Sequence, residues 1–348
     1  MKNAQRKSAK KRSAKTVNLA LQGGGAHGAF AWGVLDRLLE EEHLSFEGIS
    51  ACSAGAMNGV VMASGLSSGG RDGAKKALAD FWRRVSQSAL FSPLQPSPLD
   101  RMMENYSLEN SPTYAMLDIM SRLFSPYQFN PLNINPLMAI LTETVDFERL
   151  HRDCPVKLFF SATNVRTGKV KIFKNQDVTA DAVMASACLP FLFQAVEIEG
   201  EHYWDGGYMG NPALYPLIYN CKSPDIVVVH INPLNRDEEP KTAHDILNRI
   251  NEISFNSSLM REMRAIAFVT KLIDEGEVKA HKLKRLLIHA IEADAFMQEL
   301  TVSSKLNPDW DFLCHLHDVG RTTAEAWLAD TYEQLNDKSS IDISERYL

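Results

Sequence analysis

The chain has 348 residues, 45% hydrophobic and 23% charged, the composition of a globular protein long enough for one large domain or a catalytic domain with an appendage. Its net charge of −6 conceals a basic N-terminus: Lys2, Arg6, Lys7, Lys10, Lys11, Arg12 and Lys15 occur in residues 1–16 with no acid among them, so the remainder is more acidic than the total. No apolar run reaches the roughly 18 residues of a membrane span, the arm lacks the apolar core of a secretory signal, and the acidic remainder offers no basic face for nucleic acid.

Residues 1–16 read as a solvated, disordered arm on composition. The alternative is transient contact with an anionic membrane surface, to which each basic residue adds about 1 kcal/mol. Val17 to Leu21 is a predicted strand, followed by Gly23, Gly25 and Gly28 in G-x-G-x-x-G spacing and a helix to about Glu42. That helix has Phe30, Val34, Leu35, Leu38 and Leu39 on one face, with Asp36, Arg37 and Glu40 to Glu42 toward water. A short strand, Ile49 to Cys52, runs into the small residues Ser53 to Ala56 and a second helix. Strand–helix alternation predicts a parallel sheet covered on both faces.

Prolines 93, 96, 98, 112, 126, 131 and 136 divide an apolar insertion, about 86–150, into short helices and loops, which could form a lid, an acyl-pocket wall or a plain packed insertion. Further strands are expected at Val156–Val165, Lys169–Phe173 and Asp225–Asn232, and a hairpin over Ala195–Gly207. Ala180 to Cys188 reads as a helix of small residues. After Asn235 the chain is mainly helical, with one strand at Leu286–Ala293. The apolar positions Ile246, Ile250, Ile253, Met260, Met263 and Ile266 could pack on the domain or join a homodimer, and packing is the expectation. Five scattered cysteines (Cys52, Cys154, Cys188, Cys221, Cys314) show no zinc or redox spacing and fit a reducing cytoplasm.

The glycine loop alone suits either a nucleotide's phosphates or the oxyanion of an ester under attack, since both need free N–H groups at a helix start. A dinucleotide-binding oxidoreductase would place an acid at the end of the second strand. This chain has Cys52-Ser53 there. Ala51-Cys52-Ser53-Ala54-Gly55 instead resembles G-x-S-x-G, the elbow that raises a serine hydroxyl above a sheet. The plainer reading makes Ser53 a helix N-cap. Cys52 belongs to the strand in the elbow frame and points elsewhere. A serine needs a base. His230 and His244 satisfy chain order but sit in no motif. Asp205, leaving an aromatic strand into Gly206 and Gly207, is the sharper candidate, against a simple Asp-Gly turn.

GGGAHG (Gly23 to Gly28), ACSAG (Ala51 to Gly55) and DGG (Asp205 to Gly207), in this order, resemble the patatin-like phospholipase family, with supporting likeness in Ser161–Phe173 and Ser186–Pro212. The resemblance covers about residues 17–235. It implies a three-layer α/β/α sandwich with a mostly parallel sheet and a lipid acyl hydrolase working through a Ser-Asp dyad, without cofactor or metal. Carried onto this chain, Ser53 attacks, Asp205 is the base, and the N–H groups of Gly23, Gly24 and Gly25 hold the oxyanion, while Gly28, Ala51, Gly55, Gly206 and Gly207 support the motifs. Another ester, such as a thioester or a polyhydroxyalkanoate, is the alternative substrate. The chain departs from the family pattern twice. Ala51 replaces the elbow's first glycine, and His27 stands where many members carry arginine, so any electrostatic help from that position would depend on pH, and the residue is given a structural or loop-supporting role rather than a catalytic one. The region 236–348 lies outside the resemblance and is expected as a mainly helical extension.

Overall fold

The computed structural model describes residues 13–89, 94–95, 106–236, 239–278 and 283–348. Its eight strands are β1 (Lys15–Leu21), β2 (Leu44–Ala51), β3 (Lys157–Asn164), β4 (Val170–Lys174), β5 (Val196–Ile198), β6 (Glu201–Asp205), β7 (Asp225–Val229) and β8 (Leu287–Ile291). They form one sheet in the order β5-β6-β3-β2-β1-β7-β8, with β4 also paired to β3. The run β3-β2-β1-β7-β8 is parallel, and β4, β5 and β6 pair antiparallel.

The helices are α1 (Gly28–Leu39), α2 (Ala54–Ser88), α3 (Pro112–Leu123), α4 (Pro126–Phe129), α5 (Pro136–Thr144), α6 (Phe147–Asp153), α7 (Ala180–Ser186), α8 (Tyr215–Asn220), α9 (Ala243–Asp274), α10 (Asp294–Glu299), α11 (Trp310–Thr331) and α12 (Ile343–Tyr347). Side chains alternate across a strand. Along β1, Val17, Leu19 and Leu21 enter the core under α1, α2 and α11, whereas Ala20 faces the core under α8, α9 and α12. The result is a three-layer α/β/α sandwich. As expected, the Pro-rich insertion holds short helices and no strand among its described residues.

Several boundaries differ from the sequence reading, each because of a distant contact. β1 starts at Lys15 rather than Val17, since Lys15 pairs with Leu44 and its ammonium donates to the Leu335 carbonyl at 2.5 Å. The expected arm therefore loses its last two residues to the sheet, and its residues 1–12 lie outside the described residues. β2 likewise begins at Leu44, and Cys52 lies beyond its end. Asp36, expected in water, is buried between α1 and α11, paired with Arg321 and with Lys75 at 3.8 Å. The two helices cross where Gly33 lies against the His317 backbone and Gly320 against the Phe30 carbonyl, places with no room for a Cβ. The segment after Asn235 is thus built into the sandwich, supplying β8 to the sheet edge and α11 to the first helical layer. The packing expected of the α9 stripe holds at Met263 and Ile266, which are buried, but not at Ile246, Ile250 and Ile253, which are exposed. Among the described residues no helix is long and apolar enough to cross a membrane.

Candidate active site

The carboxyl ends of β1, β2 and β7 converge, as they do at the ligand crevices of open α/β sheets. Beyond β1 the buried Gln22 ties these ends together. Its Oε1 accepts the N–H groups of Ile231 (2.9 Å) and Asn232 (3.0 Å), and its Nε2 donates to Asn256 Oδ1 at 3.2 Å. The glycine loop follows, and each motif glycine has its own steric reason. A Cβ on Gly23 would lie 2.5 Å from Ser53 Cβ, and one on Gly28 would lie 2.7 Å from Ala54 Cβ. Gly25 has a φ of +59° and lies against the Lys305 carbonyl.

Gly23 was one of three expected anion donors, but its N–H is committed to Asn211 Oδ1 at 2.7 Å. Its carbonyl accepts from Asn232 Nδ2 at 2.8 Å. The N–H groups of Gly24 and Gly25 have no acceptor among the described residues, so the loop's free donors are two rather than three.

Ser53 sits between the end of β2 and the start of α2 with φ +53° and ψ −124°, a backbone conformation strained for any residue with a Cβ. Its side chain makes no N-cap hydrogen bond, contrary to the plainer reading. Its own N–H donates to Ser186 Oγ at 3.0 Å. The turn closes because Gly55 lies directly on the Leu21 and Gln22 carbonyls. Ala51 stays in the strand without positive φ, so that position makes no demand for glycine.

Asp205 ends β6 opposite Ala162 of β3 and is 2% exposed. Burial pushes its carboxyl up to about 6, against hydrogen bonds from the Gly207 N–H, the Ser53 hydroxyl and the Cys52 thiol. The Gly207 bond is 2.7 Å and the thiol lies 3.3 Å from the same oxygen, Oδ1. Gly206 lies on the Ser161 carbonyl and Gly207 under Phe255, which fixes the turn. Cys52 therefore does not point away from the site but supports its carboxyl from below. Burial and the Asp205 charge push the thiol well above its ordinary range, so it remains protonated and non-nucleophilic.

His230 is buried against the Tyr347 hydroxyl at 2.6 Å, with burial lowering it to about 4, and the side chain of His244 lies outside the described residues. His27 is buried, 2.7 Å from Ser304 Oγ. Burial, with the Lys305 and Arg236 charges, holds it well below its ordinary value, so it is neutral near pH 7.

Ser53 opens onto two adjoining spaces. A cleft of about 70 Å3 is bounded by the glycine loop, Asp205, Asn211, Asn232 and Lys305. A cavity of about 370 Å3 runs the other way, walled by Met57, Phe81, Trp82, Leu117, Phe129 and Phe193. Its volume is within the roughly 300–1,000 Å3 usual for small-molecule sites. No histidine lines either space among the described residues. Gln22, Asn211, Asn232, Ser186 and Lys305 were not singled out from the sequence. Ser186 and Asn211 lay inside the supporting stretch Ser186–Pro212, but nothing local marks Gln22, Asn232 or Lys305.

The family model described as Patatin-like phospholipase matches residues 19–218, and the chain belongs to this family of lipid hydrolases. Among solved structures, VipD from Legionella pneumophila is similar at 16% identity and a TM-score of 0.42, covering 99% of this chain and 78% of VipD. ExoU of Pseudomonas aeruginosa, in its complex with SpcU from the type III secretion system, is similar at 15% identity and a TM-score of 0.37. That match covers 92% of this chain and 53% of ExoU, so the chain spans about half the length of that protein. No curated protein matches the chain in sequence.

Proposed function

We propose that the protein is a lipid acyl hydrolase that cleaves carboxylic esters through Ser53 and Asp205. The observation that carries this reading is the strained elbow at Ser53, which faces a buried carboxyl raised to about 6 at the mouth of an apolar cavity. Asp205 takes the Ser53 proton as Oγ bonds to the ester carbonyl carbon, and the carbonyl π electrons move onto oxygen. The Gly24 and Gly25 N–H groups, at the start of α1, stabilise that oxyanion. Removing one such donor costs about 3–4 kcal/mol in comparable enzymes. Collapse expels the alcohol, which takes the proton back from Asp205 and leaves an acyl-Ser53 ester. Water then repeats the sequence and frees the fatty acid.

An acyl chain suits the 370 Å3 cavity, and its walls favour a substrate drawn from lipid. α3 offers Leu117 to the cavity while Met116 (64% exposed), Ile119 (56%) and Leu123 (70%) lie on its outer face, and Phe191 (64%) stands beside the lining Leu192 and Phe193. Exposed apolar patches of this kind mark contact with membranes or other apolar partners. A fatty-acyl phosphonate ester tests the chemistry. Intact mass should show one phosphonyl adduct, peptide mapping should locate it on Ser53, and Asp205→Asn should slow labelling at least tenfold. An adduct on another residue would refute the assignment.

A further inference from the structure

The larger cavity accepts the acyl side of an ester, so the alcohol side faces the smaller cleft, whose one cation among the described residues is Lys305, a residue that also borders the cavity. Lys305 lies outside the matched family region, in the 3-10 turn Val302–Leu306 of the C-terminal segment. Its carbonyl presses on Gly25, and its ammonium donates to Asn232 Oδ1 at 2.8 Å. An ammonium has three N–H bonds. This one forms no ion pair among the described residues, and the carboxylate whose field it feels, Glu252, is already held by Arg236 (2.6 Å) and Arg249 (3.2 Å). A half-buried cation with donors to spare is stabilised when an anion enters beside it.

We infer that Lys305, with Asn232, forms a subsite for the phosphodiester of a glycerophospholipid bound with its ester at Ser53. This rests on the hydrolase reading above and deepens it. In such a lipid only a few bonds separate the phosphate from the scissile ester, so an ester at Ser53 brings the charge into the same cleft. The oxyanion is served on the loop side by backbone donors, whereas the Lys305 ammonium is anchored to Asn232, beyond β7. A neutral diacylglycerol would find no anion partner for it.

The test compares two short-chain substrates with the same acyl groups, monomeric dihexanoyl phosphatidylcholine and dihexanoylglycerol. In Lys305→Met the ratio of kcat/KM for phospholipid over diacylglycerol should fall about tenfold, the scale of one lost charge-assisted hydrogen bond. Lys305→Arg, which keeps the charge, should retain most of the ratio. An unchanged ratio in Lys305→Met, whether both rates fall or neither does, would overturn the subsite. Equal loss in both variants would assign the effect to packing on Gly25 and overturn it as well. Binding of the same two lipids to Ser53→Ala protein, with and without Lys305→Met, separates this inference from the chemistry. The ratio of dissociation constants should move by the same factor even if neither ester is hydrolysed, in which case the hydrolase reading alone would fail.

Discussion

At Asp205 two properties that usually travel together part company. Its carboxyl rises to about 6 on burial, so the group acts as a base only above that value. The account predicts that kcat/KM on a soluble ester falls about tenfold per unit as pH drops below about 6, with no second limb from the neutral His27. A plateau down to pH 4.5 would contradict this. A raised pKa also bears on stability. The folded state holds the Asp205 proton more tightly than the unfolded chain, so this contribution is fully present below about 4 and is lost as pH rises through about 6. The loss amounts to about 3 kcal/mol. Asparagine carries no such cost and can still accept from Gly207. Asp205→Asn should therefore lower turnover about 10²- to 10⁴-fold and yet melt higher than wild type at pH 8, the difference closing near pH 4. A lower Tm at pH 8 would mean that the hydrogen bonds to the carboxylate outweigh its burial.

Between elements, the crossing of α1 and α11 is the joint on which the site depends. α1 begins at the glycine loop, and α11 follows closely on the turn that carries Lys305. At the crossing Gly320 lies on the Phe30 carbonyl, with Asp36 and Arg321 paired beside it. Gly320→Ala should cost about 1–3 kcal/mol through forced separation of the helices, read as a lower Tm and urea midpoint. An unchanged midpoint would show that the crossing yields easily. This joint also marks the limit of what the sequence made legible. Local signals were sufficient for the elbow, because the small residues at Ala51 to Gly55 and the short apolar run before them follow from steric rules within a few residues. Asp36 read as exposed since its partner Arg321 is far along the chain, and β1 read short because Lys15 is held by Leu44 and Leu335. Gly23 read as a free donor since nothing near it announces Asn211. What was missed was set by tertiary contact rather than by local chemistry.

Across the whole molecule, the sheet brings three distant stretches of chain, the glycine loop, the elbow and the Asp205 turn, to one end of the sandwich, and the segment after residue 300 closes over them. In the proposed reaction the larger cavity takes the acyl chain and the smaller cleft the alcohol side of a lipid ester at Ser53, and no step calls on a metal. Fatty-acid release from phospholipid vesicles, with a chelator present and with wild type and Ser53→Ala compared side by side, tests this most directly. The account predicts release by wild type that the chelator leaves intact and that Ser53→Ala reduces to background. Undiminished release by Ser53→Ala, in protein with the wild-type circular dichroism spectrum, would contradict it.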